Sequence, residues 1–103
     1  MSLRRPDEGR LFLGLLTVDL ILNASSSLKD KRRIVKGVIE RMKARLDVSV
    51  AEVGFQDVQN RAAIAVACVG SDRGYVEWTL ERAREIAESR EGAEVLDWRV
   101  EWR

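Results

Sequence analysis

The chain has 103 residues, 46% of them hydrophobic and 34% charged, with 18 basic against 17 acidic residues and a net charge of +1. That length suits one domain, and the apolar share offsets the entropy of ordering the chain, which excludes disorder. No apolar run reaches the roughly 20 residues of a membrane helix; one cysteine excludes an internal disulfide, and the lack of histidine removes the commonest general base and metal ligand.

Residues 1–10 are polar and carry Arg4, Arg5, Asp7 and Glu8. They read as a flexible lead without the apolar core of a secretion signal, so the cytoplasm is the expected location. Residues 11–103 read as a single domain. Residues 11–22 alternate as a strand, with Leu16, Val18, Leu20 and Leu22 on one parity. After a polar link, Ser27 and Asp30 form a Ser-x-x-acid helix start. The helix is expected over 28–46, with Leu28, Val35, Val38, Ile39, Met42 and Leu46 as its buried stripe. Residues 48–56 and 61–69 read as two strands joined by a short turn, hence an antiparallel hairpin. A second helix follows over 73–90, striped by Val76, Leu80, Ala83, Ile86 and Ala87 and stopped by Gly92. The last strand, 93–102, sets Leu96, Trp98, Val100 and Trp102 against Asp97, Arg99 and Glu101.

The order β-α-β-β-α-β is the split βαβ pattern of an α+β ferredoxin-like sandwich: a four-stranded antiparallel sheet with both helices on one face. Right-handed crossovers place the first and third of these strands at its centre.

Ser27-Leu28-Lys29-Asp30-Lys31-Arg32-Arg33, with Val48 to Val53, Gln56-Asp57, Arg61-Ala62 and Arg99 to Trp102, resembles the bacterial YlxP-like proteins, the domain-of-unknown-function family 503. The resemblance runs over residues 11–102. It implies the same ferredoxin-like fold and no established activity. Genes of this family sit among translation and ribosome-maturation genes in several bacteria, which implies an RNA-linked role. The chain departs from the family pattern at Gly54, Phe55 and Gln59.

Three candidate sites emerge from the residues. The first helix carries eight basic residues against Asp30 and Glu40, a local balance of +6 concealed by the neutral total. Ser27, Lys29, Lys31, Arg32, Arg33 and Lys36 are its candidate anion or nucleic-acid contacts. Here a helix N-terminus, which attracts anions, adjoins solvent-facing cations. The open sheet face is expected to carry Leu13, Leu15, Ala63, Ala65 and Ala67. It lacks the central aromatics on which RNA-binding sheets stack bases, and suits a homodimer instead. Catalysis is not expected. Asp19, Glu52 and Asp57 have no pairing spacing, no metal-loop pattern occurs, and the loop 23–27 lacks the glycine with which acylphosphatases cradle phosphate. Cys68 reads as a core residue, whereas Trp78 lies off the second helix's stripe and could anchor a partner. The expected protein is a cofactor-free, non-enzymatic binding factor with no membrane partner or small-molecule substrate. It is expected to contact RNA or a ribonucleoprotein through its first helix, as a homodimer; the alternative is an interaction module or homodimeric adaptor docking on an acidic protein surface.

Overall fold

The computed structural model describes residues 2–5, 9–23 and 25–103. The strands are β1 (Ser2–Arg5), β2 (Gly9–Leu22), β3 (Ser49–Gly54), β4 (Arg61–Gly70) and β5 (Ala93–Trp102); the helices are α1 (Leu28–Arg45) and α2 (Arg73–Glu88). The four main strands run in the order β3-β4-β2-β5, each antiparallel to its neighbour. This is the ferredoxin-like α+β sandwich, with β2 and β4 central. Phe12 pairs with Gly70 on one side and Ser2 on the other, so β1 continues the side of β2 that β5 occupies farther along. Of the ten residues expected to form a flexible lead, 2–5, 9 and 10 are paired as strand, while 1 and 6–8 lie outside the described residues.

Both helices begin on side-chain caps. Ser27 Oγ accepts from the Asp30 N–H at 3.1 Å, and Asp72 accepts from the Tyr75 N–H at 3.3 Å. These bonds satisfy donors that the first helical turn leaves without partners. The core between helices and sheet is built from Leu16, Val18, Leu20 and Leu22 of β2 and Ile64, Val66 and Cys68 of β4. Against them pack Ile34, Val35, Val38 and Met42 of α1, and Val76, Leu80 and Ala83 of α2. Gly14 lets α2 settle this closely on β2. A Cβ there would stand 2.8 Å from Leu80 Cδ1 and 2.9 Å from Val76 Cγ1.

One parity differs from the sequence reading. The β2–β5 register shifts between Asp19 and Leu20, so that Leu20 faces Val95 while Val18 faces Trp98. The extra residue of this bulge is taken up around Leu96, which is 51% exposed, and Val95 packs on the core instead. A bulge reverses which alternate residues face inward, and nothing in the composition of the strand marks its place.

Candidate functional site

The start of α1 is occupied by its own side chains. The Ser26 hydroxyl and main-chain N–H donate to Asp30 Oδ2 at 2.8 and 3.3 Å, and Ser25 Oγ donates to the Ser27 carbonyl. The bonds from Ser26 hold the Asp30 carboxyl below the usual carboxylate range. Ser27 is therefore the cap of the helix, and the Asp30 carboxylate takes up donors that a bound anion would need.

Lys31 corrects the expectation that it projects to solvent. It is 1% exposed. At 100° per residue it lies on the same stripe as Val35, Val38 and Met42, four, seven and eleven positions on. Its stem is packed in the core, and Nζ meets Glu52 Oε2 at 3.0 Å and the Phe55 carbonyl. Glu52 is directed to the helix side because it stands opposite the buried Ile64, just before the register shift near the end of β3. Phe55 has a left-handed φ of 58°, a conformation unusual for an aromatic residue. Its carbonyl also accepts from the Val58 N–H at 3.0 Å, and the Arg61 guanidinium lies 4.5 Å from its ring centre. Lys31 thus ties α1 to β3 and to the turn after it, and is no part of a surface site. Glu52, one of the strand carboxylates weighed for catalysis, is its counterion.

Lys29, Arg32, Arg33 and Lys36 are exposed as expected, and so are Arg41, Lys43 and Arg45. Arg33 approaches Asp30, and Lys36 approaches Glu40, only at 3.8 Å. Among the described residues Lys29, Arg32, Arg41, Lys43 and Arg45 make no ion pair. The arginines of α2 contrast with them. Arg73 meets Glu77 at 2.9 Å, Arg82 meets Glu85 at 2.7 Å and Arg84 meets Glu88 at 2.8 Å. All three arginines of α2 are closely paired, whereas of its exposed cations α1 pairs only Arg33 and Lys36, loosely, and leaves the other five without an acidic partner among the described residues.

The unneutralised charge leads into a groove between the helices. Arg41, Arg45 and Leu46 of the first helix region face Trp78, Arg82 and Glu85 of α2 across a space of about 450 Å³. A smaller hollow of about 190 Å³ adjoins it, bordered by Lys43, Tyr75 and Trp78. Trp78 is 51% exposed, and the Arg82 guanidinium lies 5.6 Å from its ring centre. The sequence reading singled out Trp78 but missed Tyr75 and Arg82. Their spacing at i, i+3 and i+7 on one helix face was the available signal.

On the open sheet face Leu13 stands opposite Val69, Leu15 opposite Ala67, Thr17 opposite Ala65 and Asp19 opposite Ala63. Leu13, Leu15, Ala65 and Ala67 are partly or fully exposed, but Ala63 is already buried within one chain. Its neighbour on β3 is Gly54, beside the register shift, whose Cα would place a Cβ 3.2 Å from Ala63. Cys68 is buried, and that burial pushes its thiol up. Among the described residues no three His, Cys, Asp or Glu side chains are placed to hold a metal ion. No helix there is long and apolar enough to cross a membrane.

Fold and surface together define a small ferredoxin-like α+β domain whose distinguishing features are charged and aromatic surfaces. The model of the family "Protein of unknown function (DUF503)" matches residues 13–100, and the chain belongs to that family. It is 31% identical over 90 residues to the uncharacterized protein YlxP of Bacillus subtilis (strain 168), covering 87% of this chain and 98% of that one. Among solved structures it is similar to a C-terminal segment of the alpha subunit of aIF2 from Pyrococcus abyssi. That match has a TM-score of 0.50 and 14% identity over 88% of this chain and 51% of that one; the likeness is one of fold. The de novo designed protein Foldit4 matches at a TM-score of 0.48 and 19% identity, over 87% of this chain and 96% of that one.

Proposed function

We propose that this protein is a non-catalytic accessory factor that binds single-stranded RNA, free or within a ribonucleoprotein, across the exposed face of α1 and the adjoining groove. The single observation that carries this reading is the run of exposed cations on α1, most of them without an acidic partner among the described residues, leading to an exposed tryptophan. Phosphates are held by cations, and unpaired bases stack on aromatic rings; a single strand offers both at once. Lys29, Arg32, Arg33 and Lys36 would follow the backbone, with Arg41 and Arg45 flanking a base seated on Trp78. Lys31 and Ser27 contribute to the shape of this surface and not to contact. Such a role belongs in the cytoplasm.

The test is a salt titration of fluorescently labelled single-stranded RNA. Each phosphate contact lowers log affinity by about 0.7 per unit of log salt for single strands. The triple variant Lys29→Gln, Arg33→Gln, Lys36→Gln should therefore reduce the slope by about 2. Binding should weaken alike for all sequences, because phosphate contacts position without reading bases. Equal affinities for parent and variant sink the reading and favour docking of the basic helix on an acidic protein surface.

A further inference from the structure

The outer edge of β5 has a pattern that none of the preceding features uses. β5 pairs with β2 on one side, and among the described residues nothing pairs with the other. The Arg103 N–H donates to the Leu13 carbonyl at 2.9 Å, continuing the ladder in which Glu101 faces Leu15, Arg99 faces Thr17 and Asp97 faces Asp19. Alternate residues of an antiparallel strand turn their main-chain groups to opposite sides. Those of residues 97, 99, 101 and 103 therefore point at β2, and those of Trp98, Val100 and Trp102 point outward without a strand to meet; the Trp98 N–H donates meanwhile to Asp97 Oδ1 at 2.9 Å, a bond that strand pairing would exchange. Natural edge strands are usually blunted by proline, charged side chains, lysine above all, or a bulge. The stretch 97–103 contains no proline or lysine, its bulge falls before it, and its four charges alternate in sign, so they repel a like edge in some registers and attract it in others. Its apolar side chains are open as well. Trp98 is 46% exposed beside a groove of about 270 Å³ that Leu80, Val100 and Trp102 share.

We infer that the protein forms a homodimer in which β5 pairs antiparallel with β5 of a second copy about a twofold axis at Val100, joining the two sheets into one. The occupant is identified by charge. On the open face the edge reads Asp97, Arg99, Glu101, Arg103, alternating in sign. Centred on Val100, the pairing sets Arg99 opposite the partner's Glu101 and Asp97 opposite the partner's Arg103, each twice by symmetry. Centred on Arg99 or Glu101, it opposes like charges throughout the same stretch. Centred on Trp98, it runs the ladder into the bulge at Leu96. Centred on Trp102, it is complementary but spans only residues 101–103. The Val100 register is the longest that is both regular and complementary. It also sets Trp98 opposite the partner's Trp102 and Val100 opposite the partner's Val100 on the helix side, the aromatic and β-branched cross-strand pairs that stabilise sheets.

A second observation supports the same register. Asp97 stands directly opposite Asp19 within its own chain, a like-charge pair that ladders avoid, and among the described residues neither has a basic partner. Within its own chain Glu101 already takes both Arg99, at 3.4 Å, and Arg103; in the dimer the partner's Glu101 takes Arg99, which frees the partner's Arg103 to supply Asp97 with a cation. This interface replaces the open sheet face as the seat of the dimer. It leaves α1, which lies against β3 at the far side of the sheet, uncovered in both copies. The RNA reading and this one can therefore fail separately.

The experiment is analytical ultracentrifugation of the full chain, with circular dichroism to establish folding. Val100→Pro removes an N–H that a single chain does not use, at an edge position where proline is accepted. The parent should sediment as a dimer, and Val100→Pro as a folded monomer. Arg99→Glu alone and Glu101→Arg alone each bring like charges together across the axis, and each should raise the dimer dissociation constant on the order of tenfold or more. An equimolar mixture of these two variants restores opposite signs at every pair and should dimerise as the parent does. A parent that is monomeric at high micromolar concentration overturns the inference. So does a dimer that survives Val100→Pro, or a mixture no tighter than its components.

Discussion

Lys31 Nζ stands 3.0 Å from Glu52 Oε2, joining the first helix to the outer strand beneath it through a side chain that is otherwise sunk in the core. Removing one partner of such a pair strands the other charge, which costs more than the pair itself contributes. Glu52 keeps some exposure, so Glu52→Gln should lower stability by about 2 kcal/mol, less than for a fully enclosed pair. In a chain of this size that is a fall in Tm of roughly 8–16 °C. The double change Lys31→Met, Glu52→Leu should recover most of the loss in thermal melts. If Glu52→Gln melts with the parent, the contact is not structural.

The helix start carries a pH signature. The folded-state pKa of Asp30 is lowered by the hydrogen bonds from Ser26. Its contribution is therefore present above the unfolded value of about 3.9 and is lost as pH falls through the folded value. Ser26→Ala removes the hydroxyl donor. Its deficit relative to the parent should be constant near neutrality and close below about pH 4. Urea midpoints for both proteins across that range would decide it; a deficit that grows on acidification contradicts the sign.

Two glycines should respond in opposite directions to the same substitution. Gly14→Ala forces a methyl group onto Leu80 and Val76 and should cost about 1–3 kcal/mol. Gly37 lies inside α1, where a Cβ would meet the Arg90 guanidinium at an ordinary 3.5 Å. Gly37→Ala should stabilise the protein by about 0.5–1 kcal/mol, because alanine restricts the unfolded chain and glycine does not. Denaturant midpoints of the two variants should fall on either side of the parent's.

Trp78→Ala should separate stacking from charge in the RNA reading. Losing one stacked base costs about 1–3 kcal/mol, or roughly fivefold to 150-fold in affinity. The salt slope should stay unchanged, since no phosphate contact is removed. Slope and affinity together, from the same titrations as the triple charge variant, distinguish the two roles. An unchanged affinity would remove Trp78 from the interface.

Cys68 should behave as a core residue. With its thiol buried and its pKa raised chiefly by that burial, little reactive thiolate is present at neutral pH. Labelling by a thiol reagent should be slow in the folded protein and rapid in denaturant. Rapid native labelling would show that β4 opens.

The order of the six main elements, the cap of the first helix and most of the core could be read from the sequence, because each is a local property; the strand Ser2–Arg5 could not, since it forms only by pairing with β2. Period-two alternation in 11–22, the Ser27–Asp30 spacing and the helical stripe through Val35, Val38 and Met42 concern residues within a few turns of one another. What only the tertiary structure decided are matters of who stands opposite whom. Lys31 reads as a surface cation until Glu52 and the Phe55 carbonyl are placed where its amine can reach them. Leu96 reads as an inward residue until the register shift against Leu20 reverses the parity. The groove at Trp78 belongs to neither helix alone, since Arg41 and Arg45 come from one and Tyr75 and Arg82 from the other. The alternating charges of 97–103 were plain in the sequence, but their meaning waited on learning which edge of which strand was left unpaired. Local periodicity determines which way a side chain leaves its own element. The fate of a charge depends on a partner distant in the chain, and that is set only when the elements pack.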